Sequence, residues 1–124
     1  MVIMADGYTE LAELIRALAH PTRLRILDIL AQRGECCVCH LTAVLEQRQP
    51  YVSQQLMVLR EKGLVSDRKD GVMVYYRLAD ARTAALLALS RELLRRSGQR
   101  SEFLDVPESP VEGCPCPACT PRSP

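Results

Sequence analysis

The chain has 124 residues, enough for one compact domain with a modest core. Its formal net charge of +1 excludes a uniformly basic nucleic-acid-binding protein, so any DNA contact must come from a local patch. Hydrophobic residues make up 48% of the chain, but there is no Trp and one Phe, so the core must consist mainly of Leu, Val, Ile and Ala. That composition favours helices.

No segment of the sequence is apolar and long enough to cross a membrane, and the longest apolar stretch, near Ala84–Leu89, is far too short. Met1–Met4 is too short for the apolar region of a signal peptide and lacks a basic leader. We therefore expect a protein without membrane association in the reducing cytoplasm. There its six cysteines would remain thiols rather than form a disulfide framework.

Two helices are predicted in the first third of the chain. Thr9 can cap the first, whose apolar residues recur every three or four positions. They are Leu11, Leu14, Ile15 and Leu18. His20 ends this helix because the residue before a proline avoids helical angles. Pro21 suits the first turn of the second helix, and Gly34 ends it. His20 is interpreted as a structural turn residue rather than a ligand.

Two short helices with a tight connection between them are predicted next. The first covers about Cys37–Glu46, and the second runs from Pro50 to about Lys62, where Gly63 stops it. One side of the second helix is apolar, whereas the other carries amide and hydroxyl groups that suit base edges and phosphates. The candidate DNA contacts at this helix are Gln49, directly before it, and Tyr51, Ser53, Gln54, Gln55 and Arg60 within it.

Two extended runs around Asp70-Gly71, Leu64–Lys69 and Val72–Leu78, predict a β-hairpin. Two helices followed by a hairpin form a winged helix-turn-helix, whose second helix enters the major groove and whose basic wing tip contacts the DNA backbone. The candidate contacts on the wing are Arg68, Lys69 and Arg77. Because the local positive excess is modest, firm binding would require the two copies of a dimer.

A last helix is predicted over about Asp80–Arg96, with a wide apolar face. The sequence therefore predicts a mainly α (α+β) winged helix-turn-helix domain over residues 1–105, with about five helices, a two-stranded wing and a homodimeric assembly. Residues 106–124 contain six of the eight prolines, which predicts a flexible tail without a core. Three cysteines lie in this tail, Cys114, Cys116 and Cys119.

A second cysteine cluster lies where the third helix is predicted to begin. Cys36, Cys37 and Cys39 fall within four positions, and His40 follows directly. Thiolate and imidazole are soft and borderline ligands, so the cluster predicts capture of a soft metal or metalloid. Its position before the DNA-reading helix indicates that capture is coupled to DNA binding.

Four segments of the chain together resemble the ArsR/SmtB family of metal-responsive repressors. They are His20–Leu27, Cys37–Leu41, Val52–Val65 and Asp70–Leu78, and the resemblance spans about Leu11–Leu94. It implies a winged-helix homodimer that represses a metal-resistance operon on a two-fold-symmetric operator and leaves the DNA when its inducer binds. It also implies that the first and last helices pair at the dimer interface.

The family's arsenic and cadmium/lead sensors carry a Cys-Val-Cys motif at this helix, which Cys37-Val38-Cys39 resembles. Cys36 before the motif and His40 after it depart from the family's pattern. This resemblance and the dominance of thiols favour As(III) or Sb(III) as the inducer, with Cd(II), Pb(II) or Zn(II) as the alternative. The family's zinc sensors have His ligands on the last helix, and Asp80–Gly98 has none.

Helical spacing leaves two ways to use the cluster. Residues two apart lie about 200° apart around a helix, so Cys37 and Cys39 could share one ion only if the helix start unwinds. Cys36, Cys39 and His40 could instead bind on one face of an intact helix. The tail cysteines Cys114, Cys116 and Cys119 could complete either set, from the same or the partner protomer.

Three other functions compete with metal-responsive repression. The cluster could sense oxidants, because thiols near a helix start are reactive. Cys116-Pro-Ala-Cys119 has the spacing of a thiol oxidoreductase, but it lies in a proline-rich tail rather than at a helix start after a strand, so no enzyme and no small-molecule substrate are expected. Metal storage would explain the cysteines but not the winged helix-turn-helix.

Overall fold

The computed structural model describes residues 6–98 and 102–103. Within this part of the chain, five helices and three strands form the winged helix-turn-helix that the sequence predicts, with α3 and α4 preceding the hairpin. In chain order they are α1 Gly7–Leu18, α2 Pro21–Arg33, β1 Glu35–Cys37, α3 Val38–Leu45, α4 Gln49–Glu61, β2 Val65–Asp70, β3 Met73–Leu78 and α5 Arg82–Arg96. No helix among the described residues is both long enough and apolar enough to span a membrane.

The wing has one strand more than the sequence predicts. β1 pairs antiparallel with β3, with Cys36 opposite Tyr76 and Cys37 opposite Tyr75, and the strand order in the sheet is β1-β3-β2. The predicted hairpin is present as β2 and β3, but β1 was not predicted, and α3 begins at Val38 rather than at Cys37. β1 has only three residues and no β-branched side chain, so neither alternation nor propensity could reveal it.

Side-chain caps set the start of the first two helices. The Asp6 carboxylate accepts a hydrogen bond from the backbone N–H of Tyr8 at 3.3 Å, so Asp6 rather than Thr9 is the N-cap of α1. The prediction for Thr9 is wrong, and its hydroxyl donates to Asp6 from inside the helix. Nδ1 of His20 accepts from the backbone N–H of Thr22 at 3.2 Å, which confirms its structural role at the start of α2.

The wing hairpin turns one residue later than the Asp70-Gly71 pair suggests. Asp70 is paired with Met73, so the two turn residues are Gly71 and Val72. Gly71 has a φ of 60°, a left-handed conformation that tight hairpin turns require and that glycine adopts without strain.

The core lies between α2, α3, α4 and the inner face of the wing sheet. Burial of each large aliphatic side chain contributes about 1.5–3 kcal/mol, so this cluster is the main source of stability. Its most deeply buried aliphatic members are Ile26, Leu27, Ile29, Leu30, Leu41, Val52, Leu56 and Leu59. An ion pair between Asp28, which is buried, and Arg91 fastens α5 to α2. α5 thus has a fixed side and a side turned away from the core.

Candidate functional site

Two thiols meet at the junction between β1 and α3. Cys37 is the last residue of β1 and the N-cap of α3, and its Sγ accepts a hydrogen bond from the backbone N–H of His40 at 3.3 Å. Cys39 lies in the first turn of α3, with its Sγ 2.6 Å from the Sγ of Cys37. Because the positive end of a helix stabilises nearby negative charge, this arrangement suits two thiolates that share one thiophilic ion.

The helical-wheel argument against this pair is wrong. It places Cys37 inside the helix, whereas α3 begins one residue later, at Val38, and Cys37 has the extended backbone of a strand. An N-cap residue is not restricted to the 100° steps of the helix that follows it. Cys37 and Cys39 therefore come together with α3 intact, and no unwinding is needed for them to approach each other.

The other two residues of the predicted cluster, Cys36 and His40, have different surroundings. Adjacent residues of a strand face opposite sides, so Cys36 packs in the main core whereas Cys37 packs against Tyr75 on the outer face of the sheet. The side chain of His40 is buried, and this burial, together with the charge of Arg33, lowers the pKa of His40. Cys36 therefore faces away from the thiol pair, and among the described residues His40 does not form a group of three potential metal ligands with the two thiols.

The pair alone does not complete a conventional metal site. Across residues 6–98 and 102–103, no three His, Cys, Asp or Glu side chains form a group that could hold a metal ion. Cys114, Cys116 and Cys119, which the sequence offers as further ligands, lie outside the described residues.

The outer face of the sheet connects the thiol pair to the wing. The Tyr75 ring is buried beside Cys37, and the Arg68 guanidinium lies over that ring, 4.6 Å from its centroid. The same guanidinium donates two hydrogen bonds to the Glu35 carboxylate, from Nε at 3.2 Å and from Nη2 at 2.5 Å. The hydrogen bond from Arg68 lowers the pKa of Glu35 and keeps this carboxylate charged. A continuous row of contacts therefore joins β1, β3 and β2.

α4 has the exposed polar face expected of a recognition helix. Gln49 and Gln54 are exposed and Ser53 is half-buried, so amide and hydroxyl groups are available to a base edge or a phosphate. Arg48, which the sequence analysis did not include among the candidate DNA contacts, is exposed at the N-cap of α4 without a side-chain capping bond. Its place in the turn directly before α4 makes it a further candidate for a phosphate contact.

Two of the predicted DNA contacts on α4 have side-chain partners within the fold. Gln55 is buried, and its Oε1 accepts a hydrogen bond from Nε of Arg23 at 2.8 Å. The hydroxyl groups of Tyr51 and Thr22 lie 3.2 Å apart, which ties the start of α4 to α2. The prediction that Gln55 faces DNA is therefore wrong, and Tyr51 is only partly exposed.

The basic residues near the wing differ in how they are engaged. Arg60 forms an ion pair with Asp67 at 3.1 Å, and Arg77 donates to the hydroxyl of Ser66 at 3.4 Å. Arg68 is held by Glu35 and Tyr75 as described above. Lys69 is exposed on β2 near the hairpin tip, so its ammonium group is well placed to approach a phosphate.

A wide apolar surface remains exposed on α1 and α5. Leu11 and Ile15 of α1 are 51% and 52% exposed, and Leu89 and Leu93 of α5 are 59% and 68% exposed. Single exposed apolar residues are normal, but this many on two helices are typical of surfaces that take part in protein–protein contacts.

The fold, the polar face of α4 and the wing define a winged helix-turn-helix transcriptional regulator. Residues 20–67 match the family model described as "Bacterial regulatory protein, arsR family". The chain belongs to the ArsR family, whose members named among its relatives are transcriptional regulators rather than enzymes.

Three relatives illustrate the range of this similarity. The biofilm growth-associated repressor of Agrobacterium fabrum is 49% identical over 68% of this chain and 71% of its own length. The arsenic resistance transcriptional regulator ArsR1 of Pseudomonas putida is 39% identical over 77% and 81% of the two chains. A homodimeric winged helix-turn-helix domain from Mycobacterium bovis, solved by NMR, is 30% identical over 85% of this chain and all of its own, with a TM-score of 0.68.

The different surroundings of Gln54 and Gln55 give a direct prediction. Gln54→Ala is expected to weaken operator binding by about 1–3 kcal/mol without changing the melting temperature, because an exposed amide loses a base or phosphate partner. Gln55→Ala is expected to lower the free energy of unfolding by about 1–3 kcal/mol, because Arg23 loses its buried acceptor. Fluorescence anisotropy with operator DNA and thermal denaturation separate the two effects. Loss of affinity in Gln55→Ala at unchanged stability would contradict this assignment.

Proposed function

We propose that the chain is a homodimeric repressor of a metalloid-resistance operon, acting in the cytoplasm. It binds a two-fold-symmetric operator and releases it when As(III) or Sb(III) is coordinated by Cys37 and Cys39. The observation that carries this proposal is the 2.6 Å contact between the two sulfurs at the start of α3. The relative in Pseudomonas putida that is named an arsenic resistance regulator supports the choice of inducer.

The donor set fits a trivalent metalloid in part. As(III) and Sb(III) favour three thiolates, and the described residues provide two at one place, Cys37 and Cys39. We propose that the tail provides the third from among Cys114, Cys116 and Cys119. A ligand from the tail would fix this segment to the ion site, so that ion binding and the position of the tail are coupled. Either protomer of the dimer could supply it.

Removal of the tail tests this ligand set. Deletion of residues 111–124 is expected to weaken arsenite binding about 10- to 100-fold, because one thiolate of three is lost. Operator binding by the metal-free protein should not change. A variant with serine at Cys114, Cys116 and Cys119 is the matched control, since it keeps the tail's length and should behave like the deletion. Isothermal titration that gives unchanged affinity and stoichiometry would exclude the tail as a ligand donor.

The position of the pair explains how coordination could reach the DNA. Cys37 belongs to the wing sheet, whereas Cys39 belongs to the first helix of the helix-turn-helix, and only three residues separate that helix from α4. Two thiolates on one ion are held at a fixed separation, so coordination constrains the sheet and α3 together. Through Tyr75 and Arg68 the same constraint extends to β2. A change at the pair can therefore alter the wing and the recognition helix at once.

The same contact supports a second candidate function, a response to oxidants. Two thiols 2.6 Å apart can form a disulfide when peroxide takes up two electrons and two protons and leaves as two water molecules. A repressor that responds to Cd(II), Pb(II) or Zn(II) is the third candidate, because these ions also accept thiolates.

A comparison of the inducers, each titrated separately, decides between these functions. Reduced protein on a fluorescent operator duplex is titrated separately with arsenite, antimonite, Cd(II), Pb(II), Zn(II) and peroxide. The proposal expects arsenite and antimonite to release the DNA at the lowest concentrations. Release by peroxide but not by arsenite would establish the oxidant response instead, and release by the divalent ions alone would establish the third candidate. Failure to bind any fragment of its own promoter would favour metal storage.

A further inference from the structure

A third sulfur-containing side chain packs against the cluster that includes the thiol pair. Met73, at the start of β3, packs with Cys39 against the cluster that Cys37 and Tyr75 form. Met73 is half-buried, as is Cys39, so part of each side chain packs in this cluster and part is exposed to solvent.

The strand register explains why Met73 comes to this place. Cys37 stands opposite Tyr75 in the antiparallel pairing of β1 with β3, and directly opposed side chains share a face of the sheet. Met73 is two residues from Tyr75 and therefore lies on the same face. If this pairing continued for two more residues, position 39 would stand opposite Met73. The chain instead enters α3 at Val38, and Cys39 lies in the first turn of that helix.

We propose that the Met73 thioether completes a three-sulfur site with Cys37 and Cys39 that binds a soft monovalent cation of the Cu(I) or Ag(I) class. Thiolate and thioether donors together select such cations. The thioether needs no deprotonation, so binding of one cation displaces only the protons of the two thiols. Two thiolates and one monovalent cation leave a single negative charge, which the N-terminus of α3 stabilises.

This site differs in its donors from the proposed metalloid site, although it rests on the same thiol pair. A trivalent metalloid takes a third thiolate, whereas a monovalent soft cation is satisfied by two thiolates and a neutral sulfur. Met73 should therefore affect the two classes of ion differently. Met57, exposed on α4 and away from the pair, is the matched control, since it is the other methionine among the described residues.

The test is a titration of the full chain, labelled with ¹³C at the methionine methyl groups, with Ag(I) under anaerobic conditions after removal of reductant. The methyl resonance of Met73, assigned by its loss in Met73→Leu, is expected to shift until one equivalent per protomer is bound, and that of Met57 should not move. Met73→Leu keeps the side chain's volume and is expected to weaken Ag(I) binding at least about 10-fold, because a direct ligand is lost. Met57→Leu should bind Ag(I) like the wild type.

The outcomes separate this inference from the proposed function. An unshifted Met73 resonance, or equal Ag(I) affinity in the wild type and Met73→Leu, would overturn the three-sulfur site even if arsenite still releases the operator. A shifted Met73 resonance and weaker Ag(I) binding in Met73→Leu would support the site even if arsenite fails to release DNA, and that failure would count against the proposed function alone. Arsenite-driven release by Met73→Leu is expected to match the wild type.

Discussion

Replacement of Cys37 by serine is expected to abolish arsenite-driven release of operator DNA while DNA binding by the metal-free protein persists. Serine is a preferred N-cap residue, so Cys37→Ser removes the sulfur but keeps an acceptor for the backbone N–H of His40. The arsenite concentration for half-release is expected to rise at least about 100-fold. Loss of a residue that merely hydrogen-bonds to a metal ligand already weakens metal binding by up to about 100-fold, and loss of a ligand itself should weaken it no less. Fluorescence anisotropy of a labelled operator measures both binding and release.

Two further variants make this result specific. Cys39→Ser should lose the response in the same way, since Cys39 supplies the other sulfur of the pair. Cys36→Ala should keep it, because Cys36 faces the main core on the other side of β1, and its cost should be a loss of about 1 kcal/mol in stability. A normal response in Cys37→Ser together with a lost response in Cys36→Ala would show that the ligands are assigned to the wrong face of the strand.

Introduction of a charge on the apolar face of α5 is expected to separate the protomers. Leu89→Glu would bury a carboxylate where the proposed homodimer packs α5, and an unpaired buried charge is strongly unfavourable. The resulting monomer reads one half-site instead of two, so operator affinity is expected to fall by about 100-fold or more. Sedimentation velocity and anisotropy measure the two effects on the same sample.

The control for this variant is a glutamate introduced outside α1 and α5. Ala79→Glu lies in the exposed connection between β3 and α5 and should leave both the assembly and the affinity unchanged. Circular dichroism should show that both variants retain their helices. A dimeric Leu89→Glu protein with full operator affinity would show that the exposed face of α5 is not the dimer interface.

Much of the architecture follows from strong local signals in the sequence. Pro21 and Gly34 bracket α2, Gly63 follows α4, and an Asp-Gly pair marks the hairpin, so these elements could be predicted closely. Each of these residues acts on its own backbone, and such effects do not depend on the rest of the fold. The turn lies one residue later than the Asp-Gly pair suggests, because strand pairing across the hairpin, rather than this pair alone, sets the register.

The errors concern features that depend on tertiary contacts. β1 forms because it pairs with the edge of β3, and no pattern within its own three residues predicts this pairing. Its presence moves Cys37 out of α3, which overturns the helical-wheel argument, and it turns Cys36 away from Cys37. Gln55 was similarly misplaced, because its partner Arg23 is 32 residues distant in the sequence.

The ion pair between Arg68 and Glu35 changes how the wing is understood. From the sequence, Arg68 is one of several basic residues at a hairpin, but in the fold it is bound to β1 and lies over Tyr75. Arg68 lies on β2, the strand that also carries Lys69, and it reaches Cys37 only through Tyr75. We therefore propose that Arg68 connects the thiol pair to the wing.

The most direct test of the central proposal is stepwise addition of arsenite to the reduced wild-type protein bound to its operator, followed by anisotropy. The proposal predicts that DNA is released as arsenite approaches one equivalent per protomer, and that release fails when Cys37 or Cys39 is replaced. An operator complex that survives excess arsenite, with arsenite shown by separation and elemental analysis to be bound to the protein, would contradict it.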